Sequence, residues 1–287
     1  MASTEAKSDQ DRLAVAPHAK RMRTEAGDHE QLLAQGAEGR VVVTELLGRR
    51  VVCKYRFPKA YRHAELDARL NAKRLSQEVR LMLRARQLGI RTPLIYHVDA
   101  RAHAIYMELL DAAHGWMPVK ALLVLFERDA LALKSQQRDA DQRVGDDSET
   151  RSDVDEIGTQ LGSLAAVLHA GGIIHGDLTT SNVMVRRRDP TRASGGQSAG
   201  QDFEFAMIDF GLSHVCTKQG DEERAVDLYV LERAIESAHN KLAARLGRAL
   251  MEAYASAWPR EDAQRGARVL RRLEDVRMRG RKRDMIG

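Results

Sequence analysis

Apolar and β-branched residues crowd three short runs near the amino end, at 31–35, 41–46 and 51–55, with glycine-containing turns at 36–39 and at Gly48 between them. Such runs, bounded by turn residues, predict strands. The period then lengthens. Leu66, Leu70, Val79, Met82 and Leu83 return near helical spacing, which predicts one long helix over 64–88 that stops at Gly89. Two further strands are expected at 94–99 and 104–110, turning around residues 100–103. Beyond Asp111 the pattern is helical, at 119–134 and 153–170. Ser152 or Asp153 is placed to cap the second helix, and Gly171-Gly172 to end it. Two short strands follow, at 182–185 and 203–208.

The polar stretches between these runs divide the chain. Residues 1–28 show no period and read as a disordered tail. A strand-rich lobe with one large helix is expected over 29–111, and a mostly helical lobe over 112–276. Exposed polar insertions interrupt the second lobe at 135–151 and 186–202, and a basic tail closes the chain at 277–287. The fold class is therefore α+β, and no internal repeat is visible.

At 287 residues, with 43% of them hydrophobic, the chain is long and apolar enough to bury a sizeable core. No run approaches the eighteen apolar residues of a membrane span, and the first residues lack the apolar centre of a secretory signal. Cys53 and Cys216 lie far apart and have no metal-ligand spacing, which points to a reducing compartment, the cytoplasm or nucleus. Lys20-Arg21-Met22-Arg23 reads either as a nuclear address or as a solvated basic cluster. The net charge of +5 is modest, but arginines gather at the carboxyl end, at positions 268, 271, 272, 277, 279, 281 and 283, with Lys282. A polyanion is one partner for that surface, and a solvated helix end is the plainer reading.

Chemistry concentrates in two motifs. Ile173-Ile174-His175-Gly176-Asp177-Leu178-Thr179-Thr180-Ser181-Asn182 is followed by Met207-Ile208-Asp209-Phe210-Gly211. Phosphoryl transfer needs a held triphosphate, magnesium to offset its charge, and a carboxylate near the attacking oxygen. Asp177 fits the last role. Asn182 offers a neutral amide oxygen to Mg2+, and Asp209 offers a carboxylate at a strand end. Lys54, in the run Val51-Val52-Cys53-Lys54-Tyr55, would need a phosphate or carboxylate if it pointed inward. Glu78 is the expected partner because it shares a helix face with Leu75, Leu81 and Met82; Glu65 is the second choice. The turn Gly36-Ala37-Glu38-Gly39 stands where a loop covering phosphates belongs, although it lacks the three-glycine pattern and carries an acid. Met107, Glu108 and Leu109 approach the junction between lobes, where backbone groups would meet adenine.

The two motifs, together with Val226-Asp227-Leu228-Tyr229-Val230-Leu231-Glu232, Arg56-Phe57-Pro58-Lys59-Ala60-Tyr61-Arg62-His63 and the ending Arg277-Met278-Arg279-Gly280-Arg281-Lys282-Arg283, resemble the small atypical serine/threonine kinase and ATPase subunit of the KEOPS (EKC) complex. The resemblance runs from about Gln31 to Gly287 outside the insertions. It implies a reduced, two-lobed protein-kinase-like fold that binds ATP and Mg2+ and acts mainly as an ATPase in threonylcarbamoyl-adenosine modification of tRNA. It also implies partner subunits, among them the threonylcarbamoyl transferase, and tRNA contact through the basic tail. Two other readings stay open: a serine/threonine kinase that phosphorylates itself or another protein, and a pseudoenzyme whose pocket only stabilises an assembly. Ordinary protein kinases carry an arginine before the catalytic Asp, where this chain has Gly176, and no Ala-Pro-Glu triplet follows the Asp-Phe-Gly motif. Asp227 is expected to anchor the catalytic-loop backbone.

Overall fold

A computed structural model describes residues 30–36, 39–59, 63–136, 147–188, 202–216 and 219–284, with side chains outside 129–151 and 282–284. The expected tail 1–28, the cluster Lys20–Arg23, Ala37 and Glu38, and most of both insertions lie outside the described residues.

Three strands open the fold: β1 (Gln31–Gln35), β2 (Gly39–Leu46) and β3 (Arg49–Arg56). Helix α1 (Ala64–Gln87) and strands β4 (Ile95–Asp99) and β5 (Ala104–Glu108) complete an antiparallel sheet of order β1-β2-β3-β5-β4. The β-rich composition of the strands and the tight turn at Leu47-Gly48, both at positive φ, account for this hairpin topology. Helix α1 packs its buried face, Leu75, Glu78, Leu81, Met82 and Ala85, toward the rest of the protein.

The second half begins with β6 (Met117–Pro118), α2 (Val119–Gln136) and α3 (Asp147–Ala170). Strands β7 (Ile173–Ile174), β8 (Val183–Arg187), β9 (Phe203–Met207) and β10 (His214–Val215) follow, and then helices α4 (Asp221–Ala238), α5 (Ala243–Ser256) and α6 (Ala263–Asp284). β10 pairs with β7, and β6, β8 and β9 form a second small sheet. One core spans both halves, from Leu75 and Met82 of α1 through Leu161 of α3 to Leu273 of α6. With an antiparallel sheet first and helices second, this is the expected two-lobed, kinase-like α+β fold.

Some boundaries move. Helix α3 begins at Asp147, six positions before the expected cap, so Asp153 lies inside it. Asp153 is buried and its carboxylate meets Arg187 at 2.6 Å. The polar run before it holds no Pro or Gly between 147 and 152, and polarity alone does not break a helix. Arg186 and Arg187, expected in an insertion, extend β8 opposite Glu204 and Phe203. The sequence from Arg277 onward does not leave the body as a tail. It continues α6 to Asp284, held to α4 by ion pairs of Arg277 with Glu232 and of Arg279 with Glu222.

Two packing devices fix the second half and its junction with the first. Helices α3 and α5 cross so closely that a Cβ on Gly162 would lie 2.1 Å from the Leu250 carbonyl oxygen, and one on Gly158 would lie 2.8 Å from that of Leu246. At the junction, buried Trp116 is stacked by the guanidinium groups of Arg91, 5.0 Å from the ring centre, and of Arg186, 4.7 Å away. Arg91 also pairs with Glu108 of β5 at 2.8 Å and with Glu204 of β9 at 3.1 Å, while Arg186 pairs with Glu204 at 2.6 Å. Each stacked cation is worth about 0.5–1 kcal/mol where partly solvated. Among the described residues no helix is long and apolar enough to cross a membrane.

Candidate functional site

Strand periodicity puts Val52, Lys54 and Arg56 on one face of β3, opposite to Cys53. That face looks across at α1. Lys54 Nζ donates to Glu78 Oε1 at 2.6 Å and to Asp209 Oδ1 at 2.5 Å. Glu78 is only 2% exposed. Glu65 sits exposed in the first turn of α1, about 20 Å farther along the helix by its rise per residue, and takes no part. Burial alone would lower the Lys54 pKa, but the two carboxylates outweigh it and raise it above the ordinary lysine value. Reciprocally, burial would raise Asp209, yet the adjacent ammonium and the Gly211 N–H hold its carboxyl below the usual range.

Asp209 adopts a left-handed backbone, φ 59, which aspartate tolerates better than most residues. Its side chain accepts from Gly211 N at 3.2 Å, so the turn itself aims the carboxylate back at Lys54. Phe210 is fully buried and packs on His175, with ring centres 5.1 Å apart.

The other arm of the site is the loop from β7 to β8. Asn182 Nδ2 donates to Asp177 twice, to the backbone oxygen at 2.9 Å and to Oδ2 at 2.8 Å. The Asn182 carbonyl accepts from Ile208 N at 2.9 Å, which seats it beside Asp209. Below the loop, buried Asp227 accepts from the backbone N–H of His175 at 2.8 Å and of Gly176 at 3.0 Å. Its carboxylate also lies 3.2 Å from His169 Nε2, and these partners keep its pKa low against the effect of burial. Asp227, in the second turn of α4, thus holds the catalytic-loop backbone as expected. Gly176 has φ +81, and a Cβ there would come within 2.5 Å of the Leu212 carbonyl oxygen. A side chain is thus excluded just before Asp177 by backbone geometry as well as by crowding.

The donor set fits a hard cation. With both amide hydrogens of Asn182 turned to Asp177, its Oδ1 is the atom left to coordinate, and Asp209 adds a half-exposed carboxylate. Among the described residues there is no cluster of three His, Cys, Asp or Glu able to hold a metal by itself. Magnesium does not require one, because it binds through one or two protein oxygens plus phosphates and water.

The remaining expected positions divide. Gly36 N donates to the Gly39 carbonyl at 3.0 Å, closing the hairpin between β1 and β2, while Ala37 and Glu38 lie outside the described residues. Met107 is buried in β5 against Val52. The Glu108 N–H is already given to the Leu94 carbonyl at 2.8 Å, and its carboxylate takes Arg91 and Leu94 N. Glu108 thus cannot offer its backbone donor to adenine, because the sheet edge has claimed it; Leu109 follows the strand, partly exposed.

Sequence reading missed Arg56. Its Nη2 donates to Glu78 Oε2 at 2.8 Å from a side chain 6% exposed. The signal was its place two residues beyond Lys54 on the same strand face. Nor did it anticipate that, among the described residues of the basic end, Arg268 pairs with Asp221, Arg272 with Glu222 and Arg277 with Glu232.

Residues 36–265 match the lipopolysaccharide kinase (Kdo/WaaP) family. The chain is 39% identical over 263 residues to the EKC/KEOPS complex subunit BUD32 of Chaetomium globosum, with 89% of this chain and 91% of that protein covered. It is 33% identical over 287 residues, the full length of both, to the EKC/KEOPS complex subunit Tp53rkb of Mus musculus. To the Dictyostelium discoideum subunit bud32 it is 34% identical over 256 residues, covering 89% and 84%. With Lys54, Glu78 and Asp209 drawn together beside the Asp177–Asn182 loop on a kinase-like fold, a match of this length makes the chain a member of the BUD32/Tp53rkb family of EKC/KEOPS complex subunits.

Proposed function

We propose that this chain is an ATP-hydrolysing subunit of a KEOPS-type complex that supports threonylcarbamoyl-adenosine modification of tRNA. The observation that carries the reading is the Lys54 ammonium, held at 2.6 Å from Glu78 and 2.5 Å from Asp209 beside the Asp177–Asn182 pair. ATP with Mg2+ supplies the phosphoryl group and the cation that offsets its charge. Lys54 clamps phosphate oxygens and Glu78 orients it. The Asn182 amide oxygen and the Asp209 carboxylate hold the cation. Asp177, fixed by the Asn182 amide, orients the attacking oxygen and takes its proton. Gly36 and Gly39 frame the covering hairpin, and the backbone at Leu109 faces the base.

Water is the acceptor favoured here, because Gly176 leaves no guanidinium to receive a phosphorylated loop. The same geometry would serve a protein hydroxyl. The partners are the other KEOPS-type subunits, the threonylcarbamoyl transferase included, in cytoplasm and nucleus. Transfer RNA would meet the basic carboxyl end, where Arg271 and Arg281 are exposed while Arg272, Arg277 and Arg279 pair with α4.

The test uses ATP labelled at the γ-phosphate, with the purified chain and then with its co-purifying partners and tRNA. Free phosphate is expected, and Asp177→Asn should lower its release by roughly 10²–10⁴-fold. Label retained on protein would transfer the assignment to the serine/threonine kinase reading. Undiminished turnover in the variant would remove Asp177 from the mechanism.

A further inference from the structure

Glu78 has two oxygens and two cations. Lys54 takes Oε1 at 2.6 Å and Arg56 takes Oε2 at 2.8 Å, both from the same face of β3. Lys54 is shared, because it also reaches Asp209 at 2.5 Å. The Arg56 guanidinium reaches the Asp-Phe-Gly turn as well: a Cβ on Gly211 would lie 3.1 Å from its Nη2 and 3.1 Å from Lys54 Nζ. Two acids and two bases thus meet here, and three of these four side chains are at most 17% exposed.

The division of labour is physical. A lysine that clamps phosphate must loosen its hold on its carboxylates. A carboxylate 2% exposed that lost its only cation would be left as an uncompensated buried charge, a strongly unfavourable state. Arg56 prevents this, because its bond to the second oxygen does not depend on what Lys54 does. A guanidinium also stays charged at any accessible pH and is bound to one geometry more firmly than an ammonium.

We propose that Arg56 is a positioning residue that holds Glu78, and with it α1, turned toward the site whether or not Lys54 is engaged elsewhere. This rests on Lys54 being the phosphate clamp only for its consequence in turnover, not for its effect on α1.

The experiment separates the two. Hydrogen exchange is followed in the nucleotide-free chain for wild type, Arg56→Met and Arg56→Lys. Arg56→Met should speed exchange of the α1 amides around Glu78 by about tenfold while α3 keeps its wild-type rates, and Arg56→Lys should restore part of the protection. Wild-type protection of α1 in Arg56→Met, or equal loosening of α1 and α3, would overturn the proposal, the second because it marks a merely structural role. In the second arm, ATP turnover is compared for Arg56→Met, Glu78→Gln and the double variant. Because Arg56 acts through Glu78, adding Arg56→Met to Glu78→Gln should leave kcat/KM unchanged within about twofold. Independent, multiplying losses would refute the coupling. A wild-type chain that turns over no ATP would sink the phosphate-transfer reading, and the exchange arm would still judge Arg56.

Discussion

At the scale of single residues, burial decides which groups answer to pH. His239, at the carboxyl end of α4, is fully buried, and neither ring nitrogen has a hydrogen-bond partner among the described residues. Burial holds its pKa below the ordinary value near 6.5; nearby Glu127 opposes the shift and Lys120 adds to it. The unfolded chain therefore takes up this proton first. The histidine's contribution to stability is complete above about pH 6.5 and is lost as pH falls through the depressed folded value. Urea unfolding at about pH 7.5 and 5.5 should show wild type weakening toward acid more than His239→Phe does. Equal pH dependence in the two proteins would show that the ring does not titrate with folding. The Lys54–Asp209 pair is half open to solvent on the aspartate side, so its value to folding is small whatever its role with a ligand.

At the scale of elements, glycine spacing sets how two helices meet. Gly158 and Gly162 lie one turn apart and let α5 press against α3. Gly162→Ala would place its methyl 2.1 Å from a backbone oxygen that no rotamer change can move. Alanine returns about 1 kcal/mol of helix preference, but overpacking against a backbone exceeds that, and a net loss of about 2 kcal/mol is expected in equilibrium unfolding. An unchanged urea midpoint would mean that the helices part without cost. The sequence announced α1 and the five strands of the first lobe because their periods are clean. It also pointed to Lys54 and Asp209, and to Asp177 and Asn182, pairs that the fold brings into contact. It hid the start of α3, where polar residues continue a helix that composition reads as loop. It hid Arg56 and the ion pairs of α6 as well, since only folding reveals which carboxylate an arginine will meet. The arginine-rich ending looked free for a polyanion, and most of its described charge is instead turned to α4.

At the scale of the whole molecule, the two halves are joined by a clasp that couples backbone, ring and charge. Besides its stacking on Trp116, Arg91 accepts Met207 N at its carbonyl, 2.8 Å away, so both ends of the residue cross between lobes. Neutralising Glu204 would take from Arg91 and Arg186 the one acid that both of them pair with. Glu204→Gln is expected to lower Tm by about 2–4 °C at low ionic strength, and by less in about 1 M salt, where exposed charges are screened. Calorimetry decides it: a Tm equal to wild type at low salt would make the acid a bystander.

The backbone at Gly176 reaches beyond present stability, into how this lineage can change. A glycine codon becomes an arginine codon by one base, so the guanidinium on which ordinary protein kinases hang their activation switch is a mutational neighbour. Here the left-handed turn and the Leu212 carbonyl close that step. To acquire phosphorylation control by that route, descendants would first have to rebuild the loop around it.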